Sequence, residues 1–137
     1  MKGKTALTLM EQAIMLLVLA LAAALCLRAF LWSDTHSREN SSRDQALIQL
    51  QSAAEVLKSQ NGDFLAASAI YGGHAESQQW VIGWDESWVQ TDNNKVFQLV
   101  AIPQDSQIPY LGSALLTLQQ SDSTLCSLQI CWQEVQP

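Results

Sequence analysis

The chain has 137 residues and a formal net charge of −6 at pH 7, and 48% of its residues are hydrophobic. That length holds one membrane segment and one domain of roughly 100 residues, not two domains. Beyond Lys58 only Lys95 is basic, so the distal part is acidic and lacks the clustered Lys and Arg that nucleic-acid binding requires.

The apolar residues are unevenly spread. From Ala13 to Leu27 there is no charged or strongly polar side chain, whereas from Ser33 to Gln45 there is no aliphatic one. A chain that switches this abruptly has two solvents. The run Ala13 to Trp32 is broken only by Arg28. Twenty residues at about 1.5 Å each span about 30 Å, the thickness of the bilayer hydrocarbon. Arg28 lies near the outer end, where its side chain snorkels to the headgroups, and Trp32 sits where an interfacial aromatic belongs. Lys2 and Lys4 precede the run with no acid before Glu11, which places the N-terminus in the cytoplasm and the rest of the chain outside.

Three readings of this segment are open from composition: an uncut anchor, a secretory signal peptide cleaved near Ala22, Ala23 and Ala24, and a lipoprotein signal ending at Cys26. The three alanines lie inside the apolar run, which resumes through Ala29, Phe30, Leu31 and Trp32. Leu25 is bulky where a lipoprotein signal has a small residue. These features favour the uncut reading.

Glu11 follows Leu7, Thr8, Leu9 and Met10 at the cytoplasmic edge of the apolar stretch. A charge there is costly unless it finds headgroup water or a partner. One reading puts it at headgroup level, near a helix N-terminus that favours negative charge. The other follows from the order Ala6, Leu7, Thr8, Leu9, Met10, Glu11, preceded by Lys2 and Lys4. This order resembles the N-terminus of type IV prepilins and type II secretion pseudopilins: a short basic leader, a small residue, then apolar, Thr, Leu, apolar, Glu. The resemblance covers roughly residues 2 to 60. Ala6 stands where the family prefers Gly, Leu7 stands where Phe or Met is usual, and no Pro occurs before Pro103.

The resemblance implies a leader of residues 1–6 removed between Ala6 and Leu7 by a membrane-embedded prepilin peptidase. It also implies N-methylation of the new terminus, and a role for Glu11 in the register between subunits. Other pilin or pseudopilin subunits, the inner-membrane assembly platform and the lipid bilayer are the implied partners.

No Gly or Pro occurs between Thr5 and Gln60. Leu47, Leu50, Ala54 and Leu57 recur at three- and four-residue spacing, and Asn61-Gly62 is a helix stop. One helix is therefore expected from Leu7 to Gln60, with 7–32 spanning the membrane and 33–60 continuing it. A short helix is expected near Leu65 to Ile70. Strands are expected at Trp80 to Trp84 and Val96 to Ile102, the latter ended by Pro103. Trp88 to Gln90 is read as a partner of Trp80 to Trp84. Gly112 to Gln120 and Leu125 to Glu134 are read as a hairpin over Ser121 to Thr124.

The fold class is α+β: a long N-terminal helix packed on a small antiparallel sheet of about four strands in 61–137. That is also the pilin-like layout the resemblance implies.

No catalytic constellation is evident, and neither cofactor nor metal is expected. His36 and His74 lie in polar segments without ligands at metal spacing. Asp85-Glu86 is read as a turn. Trp80 and Trp84, four apart, share one face of a strand and are read as core. Cys126 and Cys131, five apart, point to opposite faces of one strand, too far apart for a disulfide. The expected protein is a non-enzymatic minor pilin or pseudopilin-like subunit of the bacterial plasma membrane. The alternative is a single-pass membrane protein whose outer domain binds another envelope protein.

Overall fold

A computed structural model describes residues 2–134. Its elements in chain order are helix α1 (Lys2–Ser59), helix α2 (Phe64–Tyr71) and strands β1 (His74–Glu76), β2 (Gln79–Trp84), β3 (Phe97–Gln104), β4 (Leu111–Gln120) and β5 (Ser123–Gln133). The strands form one antiparallel meander in the order β1-β2-β3-β4-β5. The α+β class and the pilin-like layout of a long N-terminal helix with an antiparallel sheet are as expected. The chain divides into two units, 1–41 and 42–137.

The first unit is helical throughout its described residues, starting at Lys2 rather than Leu7. One window of α1 has a mean hydropathy of 2.6 with none of it buried, so this helix is long and apolar enough to cross a membrane. The polar stretch after Trp32 stays helical because its side chains bond along one helix. Asp34 pairs with Arg38 at 3.2 Å and His36 with Glu39 at 3.5 Å, while the Thr35 hydroxyl donates to the Leu31 carbonyl at 2.9 Å. Contacts at three- and four-residue spacing each add a few tenths of a kcal/mol to an exposed helix.

In the second unit, α1 presents Ala46, Leu50, Ala53, Ala54 and Leu57 to the core. These five side chains join the buried core cluster with residues of the sheet. Fully burying each leucine is worth about 1.5–3 kcal/mol. The helix stops at Asn61 and Gly62, as their sequence suggested. Asn61 has φ 52° and its N–H donates to the Lys58 carbonyl, while the Gly62 N–H donates to the Leu57 carbonyl. These two bonds satisfy carbonyls that the helix end leaves open. Asp63 then starts α2, its Oδ1 accepting the N–H groups of Leu65 (3.0 Å) and Ala66 (3.2 Å).

The inner face of the sheet is built in cross-strand rows. Trp80 lies opposite Ala101, which lies opposite Leu116, which lies opposite Leu128. The large indole is accommodated by the small residue across from it. The next row is Ile82, Leu99, Leu118 and Cys126. Trp80 and Trp84 are fully buried, as their shared face implies, and the Trp80 indole N–H donates to the Gly72 carbonyl at 2.9 Å.

The sheet and its turns differ from expectation in four places. The sheet has five strands because β1, only three residues long, adds to β2. Its hydrogen bonds are made by backbone, so its side chains carry no signal. Trp88 to Gln90 makes only an isolated bridge from Gln90 to Trp84. Trp88 itself takes a left-handed φ of 60° and stacks on Phe97 at 4.0 Å. The Asp85 carboxylate holds this turn by accepting the Ser87 and Val89 N–H groups. Pro103 lies within β3 rather than ending it. The pairing of β3 with β2 ends at Ala101, so beyond that point β3 has only β4 beside it and tolerates a residue without an N–H. The hairpin turn is also tighter than Ser121 to Thr124. β5 begins at Ser123 opposite Gln120, leaving Ser121 and Asp122 as the two turn residues.

Trp132 is held between two glycines. A Cβ on Gly62 would run into the six-membered part of its indole, and one on Gly112 into the Nε1 side. That Nε1 is buried with no hydrogen-bond partner among the described residues. Gly62 also has φ +80°, which L side chains rarely adopt. Gly62→Ala is therefore expected to lower the stability of the folded domain by about 1–3 kcal/mol, from overpacking and backbone strain together. Denaturant unfolding of the detergent-solubilised chain, followed by tryptophan fluorescence, measures it. Adding Trp132→Leu should recover the steric part of the loss.

Candidate assembly and membrane segment

The residues singled out in the N-terminal sequence all lie on α1. Ala6, Leu7, Thr8, Leu9, Met10 and Glu11 occupy consecutive helical positions with exposed side chains. The Thr8 hydroxyl donates to the Lys4 carbonyl at 2.8 Å, bonding back across the peptide that joins Ala6 to Leu7. That peptide is inside a helix, so hydrolysis there requires the first turns to unwind. The cost is small at a helix start, where the first N–H groups have no intrahelical acceptor.

From Leu7 to Trp32 the large apolar side chains are each 58–72% exposed. Consecutive positions such as Leu16, Leu17, Val18 and Leu19 are all exposed, so the apolar surface runs round the helix. Such a surface needs a lipid or protein environment, because monomeric soluble proteins rarely expose contiguous apolar patches of this size. Glu11 stands at the start of that surface and makes no ion pair among the described residues. The pairs there are Asp34 with Arg38, His36 with Glu39 and His74 with Asp92. In an apolar setting a carboxylate without a counter-charge or hydrogen-bonding water is costly.

Arg28 and Trp32 are one helical turn apart near the other end. Seventeen residues separate Arg28 from Glu11, about 26 Å along the axis. The Trp32 ring meets the His36 ring edge-on at 4.7 Å. Arg28 and Trp32 thus share one side of the helix, as two headgroup-level anchors would.

The remaining candidates do not gather into a site. The His74 Nε2 lies 3.2 Å from the Asp92 carboxylate, both side chains being largely exposed. Sequence reading missed this pair, since it depends on the loop before β3 folding back beside β1. His36 and His74 each face a carboxylate, and no group of three or more His, Cys, Asp or Glu able to hold a metal occurs among the described residues. Cys126 lies on the inner face of β5 opposite Leu118, and Cys131 on the outer face opposite Ser113, as their odd spacing required. Burial pushes the Cys126 thiol pKa up, partly offset by the Arg43 guanidinium, whereas the Cys131 side chain is exposed. Burial likewise raises the Tyr71 pKa, with the Ser52 hydroxyl opposing it, and the Tyr71 hydroxyl donates to the Gln49 side chain.

No protein family, curated protein or solved structure matches the chain. The class of protein is defined by the layout itself: one exposed, membrane-length apolar helix near the N-terminus, continuing into a segment that packs on an antiparallel sheet.

Proposed function

We propose that this chain is a minor pilin or pseudopilin-like structural subunit of a bacterial filament of the type IV pilus, competence or type II secretion kind. The observation that carries the reading is Glu11: a carboxylate with no ion pair among the described residues, at the head of an exposed apolar helix whose distal part belongs to a pilin-like α+β domain. The chain enters the plasma membrane with Lys2 and Lys4 on the cytoplasmic side and its sheet outside. A prepilin peptidase removes residues 1–6 after unwinding the first turns, leaving Leu7 as the new terminus. The apolar helices of neighbouring subunits then pack together, and Glu11 of one pairs with the terminal ammonium of the next. In low dielectric an unmade pair is expensive, so the pairing selects a single register. Glu11 directs assembly and performs no catalysis. Arg28 and Trp32 set the depth of the helix in the bilayer before extraction by the assembly platform.

A second reading is favoured by one observation. The peptide between Ala6 and Leu7 is helical, and Ala6 replaces the Gly that a flexible scissile site prefers. On that reading the leader stays on, and the protein is a single-pass membrane protein with an outer domain that binds an envelope protein.

Three outcomes follow. Reporter fusions after residue 60 should be active outside the membrane and silent in the cytoplasm; the opposite pattern overturns both readings. Co-expression with a prepilin peptidase should shorten the chain by residues 1–6, seen by intact mass, faster for Ala6→Gly and not at all for Ala6→Leu. An unchanged N-terminus in both wild type and Ala6→Gly selects the second reading. Finally, Glu11→Leu should leave the subunit stable in the membrane but absent from filaments and from crosslinks to sister subunits in its native cell. The expected penalty is about 3–5 kcal/mol per contact, because the neighbour's ammonium is left unpaired. Normal assembly of Glu11→Leu would return Glu11 to a headgroup role.

A further inference from the structure

Trp132 lies where helix α1 stops, packed against Gly62, and the space around its ring is not filled. Two cavities share Pro103, Trp132 and Glu134 as walls. One, of about 450 Å³, reaches Gly62, Leu65 and Glu76. The other, of about 340 Å³, reaches Asp105, Tyr110 and Gly112. With three walls in common they are two ends of one groove. Each is within the range of roughly 300–1,000 Å³ that ligand sites occupy.

Three properties of the groove point to one kind of occupant. The first is charge. Asp63, Glu76, Asp105 and Glu134 line it, and no Lys, Arg or His does among the described residues. Asp63 is engaged at the α2 cap, whereas Glu76, Asp105 and Glu134 make no ion pair among the described residues. The second is the apolar wall of Leu65, Pro103 and the partly exposed indole, along which an aliphatic stem can lie. The third is the Trp132 Nε1, a buried donor with no acceptor among the described residues. It lies against Gly112, a wall of the second cavity. A buried N–H without an acceptor is costly, so an occupant that brings one is favoured.

We propose that this groove binds an arginine side chain on an extended segment of another protein. The stem lies along Pro103 and Trp132, the guanidinium meets the carboxylates of Glu76 and Glu134, and a backbone carbonyl of the segment accepts the Trp132 N–H. Arginine suits the site better than lysine, because its planar head carries five donors and is the more weakly hydrated. A metal ion or a polyamine meets the charge but offers Nε1 no acceptor. A peptide brings both.

A second copy of this chain does not fit. Residues 42–137 carry ten acidic residues against Arg43, Lys58 and Lys95, so copies repel. Of the seven Lys and Arg residues, all but Lys95 lie on helix α1, and the Lys95 side chain lies over Gly83. None stands on a free extended segment. The groove uses neither Glu11 nor the leader, so its failure leaves the filament reading intact.

Nuclear magnetic resonance of the full-length chain in a neutral detergent, with isotope-labelled tryptophan, tests the proposal. Trp132→Phe identifies the Trp132 indole signal. The probe is an acetylated, amidated peptide of alanine and glycine with one central arginine. It should shift that signal saturably, and added salt should weaken the binding. The same peptide should bind several-fold more weakly with lysine. With citrulline, which keeps the shape without the charge, it should bind about tenfold more weakly. Glu76→Gln with Glu134→Gln should also weaken binding about tenfold and, because both side chains are exposed, leave the unfolding midpoint unchanged. Should that pair unfold the domain, the citrulline and lysine peptides on the wild-type chain decide. Absence of a saturable shift, equal binding of the citrulline peptide or of spermidine, or full binding by the folded double variant would overturn the proposal. So would a dimer of the chain that the double variant dissociates. Binding only by a chain ending at Glu134 would give the groove to residues 135–137 and overturn it as well.

Discussion

An α-helix satisfies its own backbone hydrogen bonds, and this lets α1 include a stretch long and apolar enough to cross a membrane. A strand leaving the sheet would expose N–H and C=O groups that hydrocarbon cannot accommodate. Within 42–137 the same helix needs only a stripe of small and large apolar residues to seat on the sheet. Ala46, Leu50, Ala53, Ala54 and Leu57 provide it. Within 1–41 apolar side chains occupy the whole circumference of the helix from Ala13 to Leu27, and the large ones are exposed. Asp34 with Arg38 and His36 with Glu39 pair along the exposed helix after Trp32.

The sheet domain is organised around large residues set against small ones. Trp80 lies opposite Ala101, and Trp132 rests between Gly62 and Gly112. The backbone around these rings is already strained or tightly approached. Gly62 has a positive φ, Trp88 adopts a left-handed conformation and stacks on Phe97, and the Trp132 Nε1 is buried without an acceptor. Such a core discriminates strongly by shape, and its tolerance for added methyl groups is low. Both ends of α2 are tied to this core. Asp63 caps its start, and Trp80 bonds the Gly72 carbonyl at its end.

The N-terminal segment and the groove beside Trp132 raise the same physical question. The Glu11 carboxylate makes no ion pair among the described residues. Beside Trp132, Glu76, Asp105 and Glu134 make none either, and the indole Nε1 has no acceptor among the described residues. Such groups are costly to leave unpaired when water is excluded.

Much of the fold was legible in the residues. The absence of Gly and Pro from Thr5 to Gln60, followed by Asn61-Gly62, marks one long helix and its stop. Trp80 and Trp84 at even spacing mark one buried strand face. Odd spacing separates Cys126 from Cys131. These are local rules, acting over a few residues through the periods 3.6 and 2. The charge at Glu11 was likewise visible, because an acid between apolar blocks needs no structure to be noticed. What tertiary structure alone decided is long-range. The strand β1 exists because β2 offers it a backbone ladder, and its own side chains carry no periodic signal. Trp132 meets Gly62 only because the end of α1 and the end of β5 converge. The groove beside Trp132 likewise takes its walls from residues far apart in sequence, Glu76, Pro103 and Glu134 among them. Register is a property of two strands together, and no single stretch of sequence contains it.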